Sequence, residues 1–240
     1  MEWIYPFPKR ARHFHCFTSD SNIKSHPDYR AGKGGDPEAA LRLIEDLAFD
    51  FLYGLCGQFP ADSIFVSPFA KEASGDNALP LMLSLMCAEI LGGTSETDIV
   101  QLQRVFHTGA DPMERLMLRP SFEGRVEQGG SYVLVDDVAN MGGTLAELTN
   151  YLLLNGGHVT GTILLVNAGR SKEFCPLKKH VRLLQERFDD EIRHIFGIHT
   201  QALTANEAGY LVGFRTADEI RSRCAKAEKA TYLRLLSKGY

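Results

Sequence analysis

Residues 131–145, SYVLVDDVANMGGTL, decide the fold. Tyr132 to Val135 form an unbroken apolar run, the pattern of a strand buried on both faces of a parallel sheet. The run ends in two adjacent carboxylates, Asp136 and Asp137. A short loop then leads through Gly142 and Gly143 into a helix near Thr144. Buried without partners, two carboxylates would be very costly. In open α/β sheets, ligands bind outside the carboxyl ends of strands. The doubled charge therefore marks a ligand site, with acceptors for a sugar diol or oxygens for a metal ion. Backbone N–H groups at the helix start form an anion site, and the two glycines allow close approach. Asn140 and the Thr144 hydroxyl add donors. Together these features outline a pocket for a 5-phosphoribosyl group. Two rival phosphate motifs are absent: no lysine precedes Thr144, and acids rather than glycines follow the strand.

Working outward, Gly156-Gly157 stops the helix and residues 159–166 supply another strand. Upstream, SIFVS at 63–67 reads as a strand closed by Pro68, and 79–91 as a helix ended by Gly92-Gly93. Residues 99–106 are expected as the next strand, and 107–128 show no sustained period. Asp36-Pro37 starts a helix running to about Cys56, with Leu41, Ile44, Leu47, Ala48 and Phe51 on one face. Before it lie a short strand at 14–17 and a loop broken by Gly32-Lys33-Gly34-Gly35. Residues 176–188 look helical. Thr204-Ala-Asn-Glu207 and Thr216-Ala-Asp-Glu219 fit the capping box and start helices over about 205–211 and 217–236. The alternation predicts an α/β fold, a mostly parallel twisted sheet flanked by helices, with a small helical C-terminal appendage. The expected division is 1–59 (an extension and possible hood), 60–170 (the core) and 171–240 (the appendage).

The 240 residues carry 26 basic and 30 acidic side chains, a net charge of −4. That balance gives no reason to expect a nucleic-acid partner, a local patch aside. No apolar run approaches the roughly 20 residues that span a bilayer, so no membrane partner is expected. MEWIYPFPKRAR lacks the apolar stretch of a secretory signal. Five dispersed cysteines without a CxxC pair suit reduced thiols in the cytoplasm. His13, His15 and Cys16 lack a fourth ligand at zinc spacing, so no structural metal is expected.

VLVDDVANMGGT resembles the phosphoribosyl-pyrophosphate (PRPP) signature of type I phosphoribosyltransferases, and the resemblance covers about residues 60–170. It implies that Asp136 and Asp137 hold ribose hydroxyls, and that Ala139, Asn140, Met141, Gly142, Gly143 and Thr144 cradle the 5-phosphate. Asn140 and Met141 depart from the family's usual residues. Lys71, in IFVSPFAKEASG, falls where family members carry a pyrophosphate-loop lysine. Arg119 lies where the family has a mobile lid, and RLMLRPSFEGR is similar to competence-type members. The implied reaction transfers phosphoribosyl from PRPP to a nitrogenous base, releasing pyrophosphate, with Mg²⁺ bound mainly through PRPP. The resemblance also leaves open a non-catalytic PRPP or nucleotide sensor and a phosphoribosyl hydrolase, while the mixed-sign amphipathic terminal helix leaves open packing on its own domain or on a partner subunit in a homodimer.

Overall fold

The computed structural model describes residues 4–68, 77–102 and 110–237. From the N-terminal side, β1 (Arg12–Phe17) precedes α1 (Ser21–Lys24), α2 (Tyr29–Lys33) and α3 (Pro37–Tyr53). Next come β2 (Ile64–Val66), α4 (Leu79–Leu91), β3 (Thr94–Glu96), β4 (Val100–Gln101), α5 (Pro112–Met117) and β5 (Phe122–Glu123). Then follow β6 (Ser131–Ala139), α6 (Gly143–Leu154), β7 (His158–Asn167), α7 (Lys178–Phe196), α8 (Ala205–Leu211) and α9 (Ala217–Ser237).

Five strands form one parallel sheet in the order β1-β7-β6-β2-β3. The chain passes from β2 outward to β3, then returns to β6 on the other side of β2. The order therefore reverses between β2 and β6, and a ligand crevice belongs there. Alternation along β6 feeds two cores. Tyr132 and Leu134 pack with side chains of α6 to α9. Val133 and Val135 pack with Leu43 and Ile44 of α3 and Leu83 of α4. Each fully buried valine contributes about 2 kcal/mol. The fold is α/β, and α7 to α9 share a core with β6 and α6.

Local chemistry explains the helix starts. The Asp36 carboxylate accepts from the N–H groups of Glu38 and Ala39, and Pro37 occupies the first turn of α3. Asp111 and Glu114 form a reciprocal capping box at α5, as Thr204 and Glu207 do at α8.

Several elements differ from the sequence expectation. The edge strand of the sheet is Thr94–Glu96, and Val100–Gln101 instead pairs antiparallel with β5. Residues 103–106 of that expected strand lie outside the described residues. On α3, Ile44 and Ala48 are buried as expected, but Ala39, Ala40, Leu43 and Leu52 complete the buried face, while Leu41, Leu47 and Phe51 are half-buried. Helix α7 runs to Phe196, with non-helical dihedrals at Phe188. Strand β6 continues through both acids to Ala139 because β7 pairs with it as far as Asn167. No described helix is long and apolar enough to cross a membrane.

Candidate functional site

The acids sit at the carboxyl end of β6, beside the point where strand order reverses. Asp137 is 4% exposed and accepts from Lys33 Nζ at 2.5 Å. Lys33 ends α2, which other contacts fix in place. Gly32 packs so closely on α3 that a Cβ would come within 3.1 Å of Ala40 Cα. Its carbonyl accepts from Ala78 N–H, just before α4, at 3.0 Å. At Lys33, burial alone would lower the pKa, but the Asp137 charge and hydrogen bond, with Asp136 behind them, raise it. Asp136 Oδ1 accepts from Asp137 N–H at 2.9 Å. Burial raises the Asp136 pKa well above the ordinary aspartate value; the Asp137 charge adds to this and Lys33 opposes it. One carboxyl is thus ion-paired, and its neighbour's pKa is raised.

The following loop is held from the other side of the sheet. Gly142 has φ of 80°, the left-handed region that suits glycine, and α6 begins without a side-chain cap. Met141 O accepts from Thr204 Oγ1 at 2.6 Å, and Asn140 O accepts from Asn206 Nδ2 at 3.0 Å. A Cβ on Gly142 would meet the Phe174 ring at 2.8 Å, and one on Gly143 would meet Glu207 Oε1 at 2.9 Å. With their carbonyls turned to α8, the residues entering α6 hold donors for another partner. Among the described residues, no hydrogen bond takes the N–H groups of Met141 to Thr144.

Glu207 is fully buried and accepts from Arg119 Nη2 at 2.6 Å and from Thr204 N–H at 2.8 Å. Arg119 also donates from Nε to Leu116 O at 3.2 Å. Glu147, on α6, has its pKa raised by burial while Arg119 pulls it down.

Of the sequence-derived candidates, Asp136 and Asp137 meet at the strand end, and residues 139–144 form the loop beside them. Arg119 is a buried ion-pair partner under α8, 10% exposed at its side chain. Lys71 lies outside the described residues. Sequence reasoning missed Lys33, read as part of a glycine loop, and Asn206. It found the Thr204–Glu207 box but not its contact with the 139–143 loop. Among the described residues, no group of three or more His, Cys, Asp or Glu could hold a metal ion. His13 instead packs against Phe7 and Phe174. A cleft of about 230 Å³, lined by Met117, Leu118, Ala227 and Tyr232 among others, lies between α5 and α9, away from the acids.

No family model matches the chain. Over 212 residues, 86% of its length, it is 36% identical to Protein TraN of Escherichia coli. Over 131 residues, 54% of its length, it is 33% identical to an uncharacterized protein of Haemophilus influenzae. The chain spans about half the length of the first (47%) and 29% of the second. These findings overturn the resemblance drawn from VLVDDVANMGGT. The type I phosphoribosyltransferase assignment is withdrawn, and with it PRPP transfer and the sensor and hydrolase variants. The motif describes a strand–turn–helix corner, which many α/β proteins share.

Proposed function

We propose that the chain is a TraN-like unit that binds a neutral, hydroxyl-rich small molecule at the carboxyl end of β6. The observation that carries this reading is the Asp136–Asp137–Lys33 cluster at the reversal of strand order. Paired titratable groups with perturbed pKa values concentrate at functional sites. The Asp137 carboxyl, held by Lys33, accepts hydrogen bonds from ligand hydroxyls. Asp136, whose pKa is raised, accepts and, whenever it holds a proton, also donates. Lys33 and the N–H groups entering α6 donate.

Charge selects against the other ligand classes. Asp137 is compensated by Lys33 and Glu207 by Arg119, so an anion meets no net positive charge in these pairs. A bare cation would have to displace Lys33 from a 2.5 Å contact. Mg²⁺, which typically takes one or two carboxylates and fills its shell with water or ligand oxygens, enters only together with the bound molecule.

A thermal-shift screen of neutral monosaccharides, with and without Mg²⁺, tests the reading. At least one should raise the unfolding temperature of the wild type and leave the Asp136→Asn/Asp137→Asn variant unmoved. Stabilisation by phosphorylated sugars alone, or equal shifts in both proteins, would overturn it.

A further inference from the structure

Helix α4, LPLMLSLMCAEIL, is apolar around its whole circumference and carries one charged residue, Glu89. A helix of that composition is normally covered on all sides. Here the core covers one side: Leu83 and Cys87 are buried, Met82 and Met86 are half-buried, and Leu85 and Glu89 are exposed. Ser84 Oγ meets Ser95 Oγ of β3 at 2.8 Å, which turns one flank of α4 to the sheet edge. Met82 and Met86 stand two residues to either side of Ser84 and so lie on the opposite flank, toward α3.

Helix α3 supplies the other wall. Its stripe Ala40, Ile44, Ala48 and Leu52 is buried, while Phe49 and Tyr53, each one position further round, are exposed with their rings stacked at 6.4 Å. Cys56, in the turn that prolongs α3, follows Tyr53 by three residues and shares its side. Its Sγ donates to Ile90 O at 3.7 Å, so that side of α3 borders α4. Phe49, Tyr53, Leu85 and the two methionines form an apolar strip along the outer side of the helix pair.

The charge around this strip has one sign. From Leu43 to Leu102 the described residues include no lysine, arginine or histidine. Glu45 precedes Phe49, Asp50 precedes Tyr53 and Glu89 follows Leu85, each by one helical turn. All three acids are exposed, and none makes an ion pair among the described residues. Arg42, one turn before Glu45, is taken by Asp28.

We propose that this strip docks a cationic amphipathic helix of a partner protein. The apolar face of that helix covers Phe49, Leu85 and the methionines, and its lysines or arginines meet Glu45, Asp50 and Glu89. Flexible thioether side chains suit such a surface because they repack against the incoming face. A second copy of this chain fits less well, since pairing the strip with itself brings like charges together. An anionic bilayer is repelled for the same reason.

The test is fluorescence anisotropy of a labelled amphipathic helical peptide of leucine and lysine, beside its leucine–glutamate counterpart. The wild type should bind the lysine peptide saturably and leave the glutamate peptide free. Phe49→Ala/Leu85→Ala and Glu45→Lys/Glu89→Lys, each checked for native circular dichroism, should each weaken binding at least ~10-fold. Glu123→Lys/Glu228→Lys, an equal charge change at exposed acids outside the strip, should bind as wild type. No saturable binding, equal binding of both peptides, or unchanged affinity in either strip variant would overturn the proposal. So would a dimer seen by light scattering that Phe49→Ala/Leu85→Ala dissolves, because a second copy would then be the occupant.

Discussion

Glu207→Ala tests whether the buried charges beneath α8 hold the loop that shapes the site. Glu207 is fully buried and Arg119 is 10% exposed, with 2.6 Å between them. Removing one partner of a buried pair typically costs about 3–5 kcal/mol, because the remaining charge stays desolvated. Loss of the capping box adds about 1 kcal/mol. Glu147 opposes this: its carboxyl already feels Arg119 and can take over part of the pairing. The expected loss is therefore about 3 kcal/mol, which for a chain of this length lowers the midpoint by roughly 6–12 °C. Urea denaturation followed by circular dichroism reads the loss directly. The Arg119→Met/Glu207→Leu double variant, which leaves no orphaned charge, should recover to within about 1 kcal/mol of wild type. A loss below about 1 kcal/mol in Glu207→Ala would refute the reasoning.

Asp136 gives a pH signature. Its folded pKa is raised, so its contribution is full below the ordinary aspartate value and is lost as pH rises through the folded value. Wild-type stability attributable to this group should fall as pH rises from about 4 toward neutrality, and Asp136→Asn should flatten that fall in a pH series of thermal melts. Gly161→Ala should destabilise by about 1–3 kcal/mol in urea titration, since the new Cβ would meet Arg12 O at 2.6 Å and the Phe59 ring at 2.7 Å. Burial pushes the Cys87 thiol up and seals it, whereas Cys56 is exposed. A thiol reagent should label Cys56 in the folded protein and Cys87 only after denaturation, as peptide mapping would show.

What could be read from the sequence was what local chemistry settles. Asp36-Pro37 and Thr204–Glu207 mark helix starts through hydrogen bonds within four residues, and they stand where expected. The apolar runs of β2, β6 and β7 announce strands buried on both faces. Asp111-Pro112 with Glu114 carries the same start signal, but six residues are too few to show a period, and α5 went unread. Strand β3, sequence TSE, has no apolar pattern; pairing with β2 and packing against α4 make it a strand.

The site divides the same way. The acids and glycines of the loop lie within one stretch and were legible as a strand-to-helix corner. Lys33 reaches Asp137 from 104 residues away, and Glu207 meets Arg119 across 88. Only the folded chain joins them. Those partners alter the chemistry of the corner, lending it a lysine and a buried acid that the bare motif does not specify. A short motif matched in isolation therefore led to a family the comparisons do not support.

The most direct test of the central claim is calorimetric titration of the wild type and the Asp136→Asn/Asp137→Asn variant with the best neutral monosaccharide from the screen. Saturable binding to the wild type, lost in the variant while its circular dichroism stays native, is the expected result. Equal heats in both proteins, or none in the wild type, would contradict the account and leave Lys33–Asp137 as a structural tie between α2 and the sheet.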